Sequence, residues 1–229
     1  MTLPDDVIAK QIIVAIDGPA GAGKSTVAQA LAARFGLLNL ESGAMYRAFA
    51  LKALRQGVAV GDAARLEALA TQTVIHLEPT AGGNRVLLDG EDVTTLLRSP
   101  EVTEAASKVS IYPPVRARMV SLQQGMGAQG GVVMEGRDIG TVVFPNAQVK
   151  IFLDAAPEVR GERRFAQLGP APDVAQAEVV RDLRDRDERD RNRADSPLKP
   201  AADAVILDST HLTLEQVVAE AERIVLKRL

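Results

Sequence analysis

The chain has 229 residues, of which 46% are hydrophobic and 25% charged, and its formal net charge at pH 7 is −3. These proportions are typical of one globular domain with insertions and exclude disordered, collagen-like and coiled-coil chains. Cysteine is absent and histidine occurs twice, which excludes a disulfide framework, a thiolate nucleophile and a Cys- or His-rich zinc site. The charge provides no basic field for nucleic acid, no apolar run spans a membrane, and the acidic N-terminus is unlike a signal peptide. We therefore expect a cytoplasmic protein that binds neither nucleic acid nor membrane.

The first predicted element is a buried strand at residues 12–17, a continuous apolar run rich in β-branched residues. It leads into Gly-Pro-Ala-Gly-Ala-Gly-Lys-Ser at residues 18–25, a G-x-x-x-x-G-K-[ST] phosphate-binding loop (P-loop), and then into an Ala-rich helix. Glycines let backbone N–H groups converge on phosphate oxygens, and the helix start adds its positive dipole end. The flanking strand and helix disfavour a glycine-rich turn without function. The loop predicts nucleoside triphosphate binding, with Lys24 on the β- and γ-phosphates and Ser25 on Mg²⁺.

Further apolar runs of strand length alternate with helical patterns along the chain. One helix is predicted at residues 43–56, before Gly57, and another at residues 213–229, where Thr213 and Gln216 suit a capping box. This alternation predicts an α/β fold in three layers, with a mainly parallel five-stranded sheet between helices. The four strands after the first are predicted at residues 37–40, 131–134, 149–153 and 204–207.

Two regions interrupt this alternation. In the first, at about residues 62–112, two strand patterns are joined through Gly82-Gly83-Asn84, which predicts an inserted hairpin in a small subdomain. His76 on the first strand is interpreted as a surface residue. The second region, at about residues 157–172, carries several arginines and a Gly-Pro-Ala-Pro turn and is interpreted as a mobile lid. The core of the single domain is then formed by residues 1–61, 113–156 and 173–229, and the lid arginines are Arg160, Arg163 and Arg164.

A charged run at residues 181–193 contains six arginines and five acids. One interpretation is a solvated helix with ion pairs such as Asp182 with Arg186. Another follows from Arg186, Asp190 and Arg193, which fall at i, i+4 and i+7 on one helical face. Two guanidinium groups around a carboxylate suit a phosphate and a hydroxylated ring. The spacing alone leaves both interpretations open.

The use that a P-loop protein makes of its nucleotide depends on its other sites. A GTPase switch requires a guanine-binding motif such as Asn-Lys-x-Asp, which is absent, and a motor ATPase usually requires docking segments or repeats. A small-molecule kinase requires a second anion site and a lid that excludes water. Ser42 and Arg47 follow the second strand and Arg137 and Asp138 follow a later one, at strand ends where ligands bind in open α/β sheets. Although each arginine alone also fits a surface ion pair, Arg47, Arg137 and Arg186 together favour a kinase by holding an acceptor phosphate.

Six sequence blocks, in order and over nearly the whole chain, resemble the bacterial cytidylate kinase family. The resemblance implies a P-loop NTPase-type fold with an enlarged nucleoside-monophosphate-binding insertion and a lid. It implies transfer of the γ-phosphoryl group of ATP, with Mg²⁺, to CMP or dCMP in pyrimidine nucleotide metabolism, by a monomer whose partners are small molecules. The blocks are Gly-Pro-Ala-Gly-Ala-Gly-Lys-Ser (18–25), Glu-Ser-Gly-Ala-Met-Tyr-Arg (41–47), Glu-Gly-Arg-Asp-Ile-Gly-Thr-Val-Val-Phe-Pro (135–145), Lys-Ile-Phe-Leu-Asp-Ala (150–155), Asp-Arg-Asn-Arg (190–193) and Leu-Lys-Pro-Ala-Ala-Asp-Ala-Val (198–205).

The same resemblance implies roles for individual residues. The catalytic cations are Lys24, Arg137 and Arg186, and Ser25 is the Mg²⁺ ligand. The acceptor phosphate is held by Arg47, Arg137 and Arg186 beside Ser42 and Tyr46, the sugar by Asp190, and the cytosine by Ser107, Arg116, Asp138 and Arg193. ATP is bound by Gly18, Pro19, Ala20, Gly21, Ala22, Gly23, Lys24, Ser25 and Thr26 of the P-loop, with Arg160 and Arg163 of the lid.

Cytosine recognition also has a physical argument. A carboxylate such as Asp138 can accept a hydrogen bond from the cytosine N4 amino group, whereas uracil presents an acceptor there. Glu41 stands where other family members can carry Asp, a change that keeps the charge. Asp17 and Glu135 are the two candidates for a carboxylate near Mg²⁺. A kinase for another small acceptor remains the alternative, whereas intact Lys24 and Ser25 disfavour a non-catalytic nucleotide-binding module.

Overall fold

The computed structural model describes residues 11–80, 83–167 and 175–228. Its elements in chain order are β1 (Ile13–Asp17), α1 (Lys24–Phe35), β2 (Leu38–Glu41), α2 (Ser42–Arg55), α3 (Ala63–Thr71), β3 (Ile75–Thr80), β4 (Gly83–Leu88), β5 (Glu91–Asp92), a 3₁₀ turn (Thr94–Leu96), α4 (Pro100–Val109), α5 (Pro113–Met126), β6 (Val132–Gly136), a π-helical turn (Ile139–Val143), β7 (Val149–Asp154), α6 (Pro157–Ala166), α7 (Gln176–Asn192), β8 (Val205–Asp208) and α8 (Leu214–Leu226).

The main sheet has five strands in the order β2-β6-β1-β7-β8, and every neighbouring pair is parallel. The predicted five-stranded α/β sheet is therefore confirmed. Each predicted strand agrees with the structure to within two residues; the largest difference is at β6, which continues to Gly136. Because all strands point the same way, their carboxyl ends and the loops that follow lie at one edge of the sheet.

Helices cover both faces of this sheet, as the alternation of strands and helices predicted. Val14 and Ile16 of β1 pack on one face against α1 and α8, in a core that includes Leu31 and Val225. Ala15 points to the other face, where residues of α2, α3, α4 and α5 join those of the sheet in a second core. Successive strand residues point to opposite faces, so a strand covered on both sides is apolar throughout.

The inserted segment forms a second sheet in the order β3-β4-β5. The predicted hairpin is confirmed, with Ile75 opposite Leu88, but the short strand β5 was not predicted. Two residues of its link, 81 and 82, lie outside the described residues. His76 is exposed, as the sequence predicted. The apolar side of the hairpin, with Ile75 and Val86, packs into the same core as α2 and α5.

Asn84 attaches this hairpin to the edge of the main sheet. Its side-chain Oδ1 accepts a hydrogen bond from the backbone N–H of Glu41 at 2.8 Å, and its Nδ2 donates to the Asn39 carbonyl at 2.7 Å. Lys52 of α2 forms an ion pair with Asp89 at 2.6 Å. The hairpin therefore supports the β2–α2 corner, where Ser42 and further site residues begin.

The structure describes the predicted capping box of α8 but not the predicted turn of the lid. The capping box of α8 is confirmed, since the Thr213 hydroxyl accepts from the Gln216 N–H at 3.3 Å and the Gln216 side chain accepts from the Thr213 N–H at 2.9 Å. The Gly-Pro-Ala-Pro turn of the predicted lid, at 169–172, lies outside the described residues. In the part that the structure describes, no helix is both long and apolar enough to cross a membrane.

Candidate active site

The P-loop connects β1 to α1 in a conformation that requires glycine. Gly18 has φ of +148°, and a Cβ there would lie 1.9 Å from the Leu153 carbonyl oxygen, so no side chain fits. Gly21 and Gly23 also have positive φ, at 75° and 97°, where side chains with a Cβ are strained. The loop thus turns its backbone around the amino-terminal end of α1, which begins at Lys24. Backbone N–H groups and the helix dipole favour an anion there.

Lys24 lies buried at this helix start, and its Nζ donates to the Pro19 carbonyl at 2.6 Å. Burial and the nearby guanidinium of Arg137 lower the pKa of Lys24 to about 7. A phosphate group in the loop would supply the missing negative charge and restore the ammonium form. Ser25 and Thr26 follow on the exposed side of the first turn.

Two buried carboxyl groups stand beside the loop and have different surroundings. Both oxygens of Asp17 accept backbone N–H groups, from Ile139 and Gly140, each at 2.7 Å. Burial nevertheless raises the pKa of Asp17 to about 6. Glu135 is hydrogen-bonded to the side chain of Ser25, and burial followed by the charge of Glu41 raises its pKa. Asp17 therefore holds the turn after β6, whereas Glu135 lies next to the predicted Mg²⁺ ligand.

Three of the predicted phosphate-binding arginines approach one another from three different elements. Arg47 of α2 is paired with Glu41, and Arg137 after β6 donates through Nε to Asp190 at 2.9 Å. Arg186 of α7 forms no ion pair with any described residue, and its buried Nε has no hydrogen-bond partner there. Burial, then the charge of Arg137, lowers the pKa of Arg186 to about 10. The cluster therefore contains a cation that forms no ion pair with a described residue, although the charge of Asp190 partly offsets its repulsion by Arg137.

A second polar cluster adjoins the first. Asp138 is ion-paired with the buried Arg116 and lies 4.0 Å from Arg193 through its other oxygen. Arg193 is also 3.7 Å from Asp190, so the two clusters are continuous. The Arg116 guanidinium carbon lies 5.7 Å from the ring centre of Tyr46.

Three further predicted acceptor-site residues, Ser42, Tyr46 and Ser107, lie around these clusters. Burial raises the pKa of Tyr46 to about 12, and its hydroxyl has no hydrogen-bond partner among the described residues. The Ser42 hydroxyl donates to the Glu135 carbonyl at 2.6 Å. Ser107 of α4 accepts from Arg189 at 3.4 Å. The predicted acceptor-site residues thus lie on α2, α4, α5, α7 and the turn after β6.

The arginines of the predicted lid occupy three different environments. Arg160 is buried and bonded to Asp187 and to two backbone carbonyls, so it lies against the P-loop. Arg163 donates to the Ser209 carbonyl at 2.8 Å and to its hydroxyl at 3.0 Å, in the loop after β8. Arg164 is exposed and reaches Gln167 at 3.3 Å. In this structure the side chains of Arg160 and Arg163 are therefore fixed to the body of the protein.

Comparison with known proteins identifies the family. Residues 14–227 match the sequence profile described as Cytidylate kinase. The chain belongs to the cytidylate kinase family. The cytidylate kinase of Solibacter usitatus is 51% identical over 97% of this chain and 94% of its own length. Those of Pelotomaculum thermopropionicum and Pasteurella multocida are 53% and 47% identical, over 90% and 93% of this chain and 92% and 95% of their own lengths. The family resemblance of the sequence blocks is thus confirmed.

Three acidic residues with clear structural roles were missed or left uncertain by sequence reasoning. Asp187 falls within the charged run at residues 181–193, whose two interpretations give it no individual role, yet it is 4% exposed and bonded to the P-loop. Asp17 was considered only as a metal ligand, and Glu41 only as a departure from other family members. Each of these carboxylates has partners distant in sequence or across a turn. A local sequence pattern does not predict such contacts.

Proposed function

We propose that this cytidylate kinase family member transfers the γ-phosphoryl group of ATP to CMP or dCMP, giving ADP and CDP or dCDP. The supporting observation is Arg186, a half-buried cation that forms no ion pair with any described residue. It lies close enough to Arg137 and Lys24 for these charges to perturb one another. A phosphate bound between them would remove this repulsion and stand beside the P-loop. The arrangement suits two phosphate-bearing substrates that meet at Lys24.

The chemistry of the transfer requires positioning and charge more than covalent catalysis. Lys24 would bind the β- and γ-phosphates, and Arg137 and Arg186 would neutralise charge on the oxygens of the moving phosphoryl group. The residues of the P-loop at 18–26 would hold the triphosphate through backbone N–H groups. No general base is assigned, because a loose transition state develops little charge on the attacking oxygen.

We propose that ATP binds together with Mg²⁺, and the side chains beside the P-loop are suited to coordinate this ion. Mg²⁺ in kinases takes one or two protein oxygens and completes its shell with phosphates and waters. Ser25 with the adjacent Glu135 offers such a set, whereas both oxygens of Asp17 already accept N–H groups. Among the described residues there is no cluster of three or more acids or histidines, which a protein-only metal cage would require. Bound Mg²⁺ would neutralise phosphate charge and orient the transferred group.

The second polar cluster is the proposed nucleoside site. Asp190 would accept from the sugar hydroxyls, and Arg116, Ser107 and Arg193 would surround the base. One oxygen of Asp138 is held by Arg116, and the other, 4.0 Å from Arg193, remains able to accept from the cytosine N4 amino group. Uracil would place its O4 acceptor against this oxygen, which disfavours it by about 1–3 kcal/mol.

The segment at about 157–172 is the proposed lid over ATP, within the proposed division into core, insertion and lid. Arg163 would contact ATP on closure, whereas Arg160, buried and bonded to Asp187 and two backbone carbonyls, would support the P-loop from behind. Exclusion of water would prevent hydrolysis. Arg163→Ala should lower kcat more than it weakens CMP binding, while Arg164→Ala, exposed and next to it, serves as the control. Unchanged kcat in Arg163→Ala would reject the role of Arg163 in lid closure.

The first experiment measures ADP formation from ATP and Mg²⁺ with CMP, dCMP, UMP, AMP, GMP or no acceptor. The proposal predicts strong release of ADP with CMP and dCMP and weak release with UMP. Activity with another acceptor only would retain a P-loop kinase and reject the cytosine site. Hydrolysis that is independent of acceptor, or no activity, would reject phosphoryl transfer to CMP.

A further inference from the structure

The peptide groups of Ala20 in the P-loop are held by two side chains from outside the loop. The Ala20 N–H donates to Asp187 Oδ1 at 3.1 Å. The Ala20 carbonyl accepts from Arg160 Nη1 at 2.9 Å. Asp187 and Arg160 are also ion-paired with each other, which closes a ring of three contacts. Since Ala20 is fixed on both sides, the orientation of the next peptides toward Lys24 is constrained.

This ion pair is buried and its polar atoms are well satisfied. Arg160 is 2% exposed and Asp187 4%. Arg160 Nε donates to the Ala155 carbonyl at 2.9 Å, at the carboxyl end of β7. A Cβ on Gly21 would lie 3.2 Å from the Arg160 carbonyl oxygen, so the α6 backbone also lies against the loop. Burial of an ion pair carries a desolvation penalty, so a buried pair is stable only when hydrogen bonds satisfy its polar atoms, as they do for Arg160 and Asp187.

Asp187 connects two sites through one helix. It is adjacent to Arg186 in α7, and Asp190 lies one turn further along. Residues next to each other on a helix point about 100° apart, so one helix can present Arg186 to the acceptor cluster and Asp187 to the P-loop. The Ala20 N–H is already used by Asp187, which makes Asp187 a support of the loop rather than a phosphate ligand.

We propose that Asp187, through Arg160 and Ala20, is a positioning residue for the donor nucleotide: it holds the P-loop in its phosphate-binding conformation and fastens it to the helix that carries the acceptor-site residues. The identity of the acceptor rests on the proposed function, but the positioning of the P-loop does not.

The test compares ATP affinity with CMP affinity in Asp187→Ala, each measured by titration calorimetry without the other substrate. We expect the Kd for ATP to rise roughly 10-fold or more, since small displacements of a binding loop are costly. The Kd for CMP should change less than threefold, as an order of magnitude for a site whose own contacts persist. In steady-state assays KM for ATP should rise more than KM for CMP. Asp185→Ala, an exposed acid on the same helix, is the control and should match wild type.

Two further variants keep the test decisive if Asp187→Ala folds poorly. Asp187→Asn retains an oxygen for the Ala20 N–H but loses the charge that pairs with Arg160, and should give an intermediate ATP defect. The double variant Asp187→Ala with Arg160→Met should bind ATP no more weakly than the worse single variant, because the pair acts as one unit. Equal losses of ATP and CMP affinity, or ATP affinity within twofold of wild type in folded variants, would overturn the proposal. If wild type shows no CMP-dependent ADP release, the proposed function fails, but the ATP titrations still decide the role of Asp187.

Discussion

Replacing Arg186 by methionine should stabilise the free protein and weaken CMP binding at the same time. Among the described residues its guanidinium has no ion pair, and it is repelled by Arg137 and Arg47. Methionine keeps a similar length and removes the charge. A residue that destabilises its own fold but serves a ligand is expected at a functional site.

The magnitude follows from the lowered pKa. The pKa of Arg186 falls from the usual arginine value to about 10, mainly by burial and then by Arg137. One pKa unit corresponds to 1.36 kcal/mol, so the charged form is disfavoured in the fold by up to about 3 kcal/mol. Because the side chain is only half-buried, solvent screening reduces this to about 1–2 kcal/mol. The folded pKa lies below the unfolded one, so this cost is fully present at every pH below about 10 and is relieved as pH rises above it toward the usual arginine pKa.

Thermal unfolding without ligand is the first assay. Arg186→Met should raise Tm by about 2–8 °C for a domain of this size, and by slightly more at pH 6 than at pH 8, because Lys24, with a pKa of about 7, adds its repulsion when protonated. KM for CMP should rise about 10- to 150-fold, since charged hydrogen bonds to phosphate are worth about 1.5–3 kcal/mol. Arg181→Met, an exposed arginine on the same helix, should change neither quantity. A lower Tm in Arg186→Met, or an unchanged KM for CMP, would refute the unpaired-cation argument.

Three further outcomes are expected. Asp138→Ala should lower the ratio of kcat/KM for CMP to that for UMP by roughly 5- to 150-fold; an unchanged ratio would remove Asp138 from base recognition. Gly18→Ala should abolish ATP binding in calorimetry, since its Cβ would lie 1.9 Å from a carbonyl oxygen; normal affinity would show that the backbone can shift to accommodate a methyl group at this position. ATP binding at pH 8 should take up protons, since the free Lys24 has a pKa of about 7 that phosphate raises; calorimetry in buffers of different ionisation enthalpy measures this uptake, and Lys24→Met should reduce it.

The sequence by itself was sufficient for the P-loop and for the layout of the fold. The glycines that permit positive φ at residues 18, 21 and 23 and the lysine that begins α1 lie within eight consecutive residues, so the motif is recognisable locally. Strands buried on both faces are apolar throughout, which is why five parallel strands could be predicted. The capping box of α8 is equally local. By contrast β5, only two residues long, has too little pattern to be recognised.

Only the tertiary structure determined the interaction partners of each charged residue. Arg160 and Arg186 look alike in sequence, and each lies in a helix rich in charge. One is neutralised by Asp187 behind the P-loop, and the other forms no ion pair with a described acid. Asp187 itself is the immediate neighbour of Arg186, so spacing could not assign them to different sites. The environment of a side chain depends on which elements pack around its helix, and those elements come from parts of the chain far away in sequence.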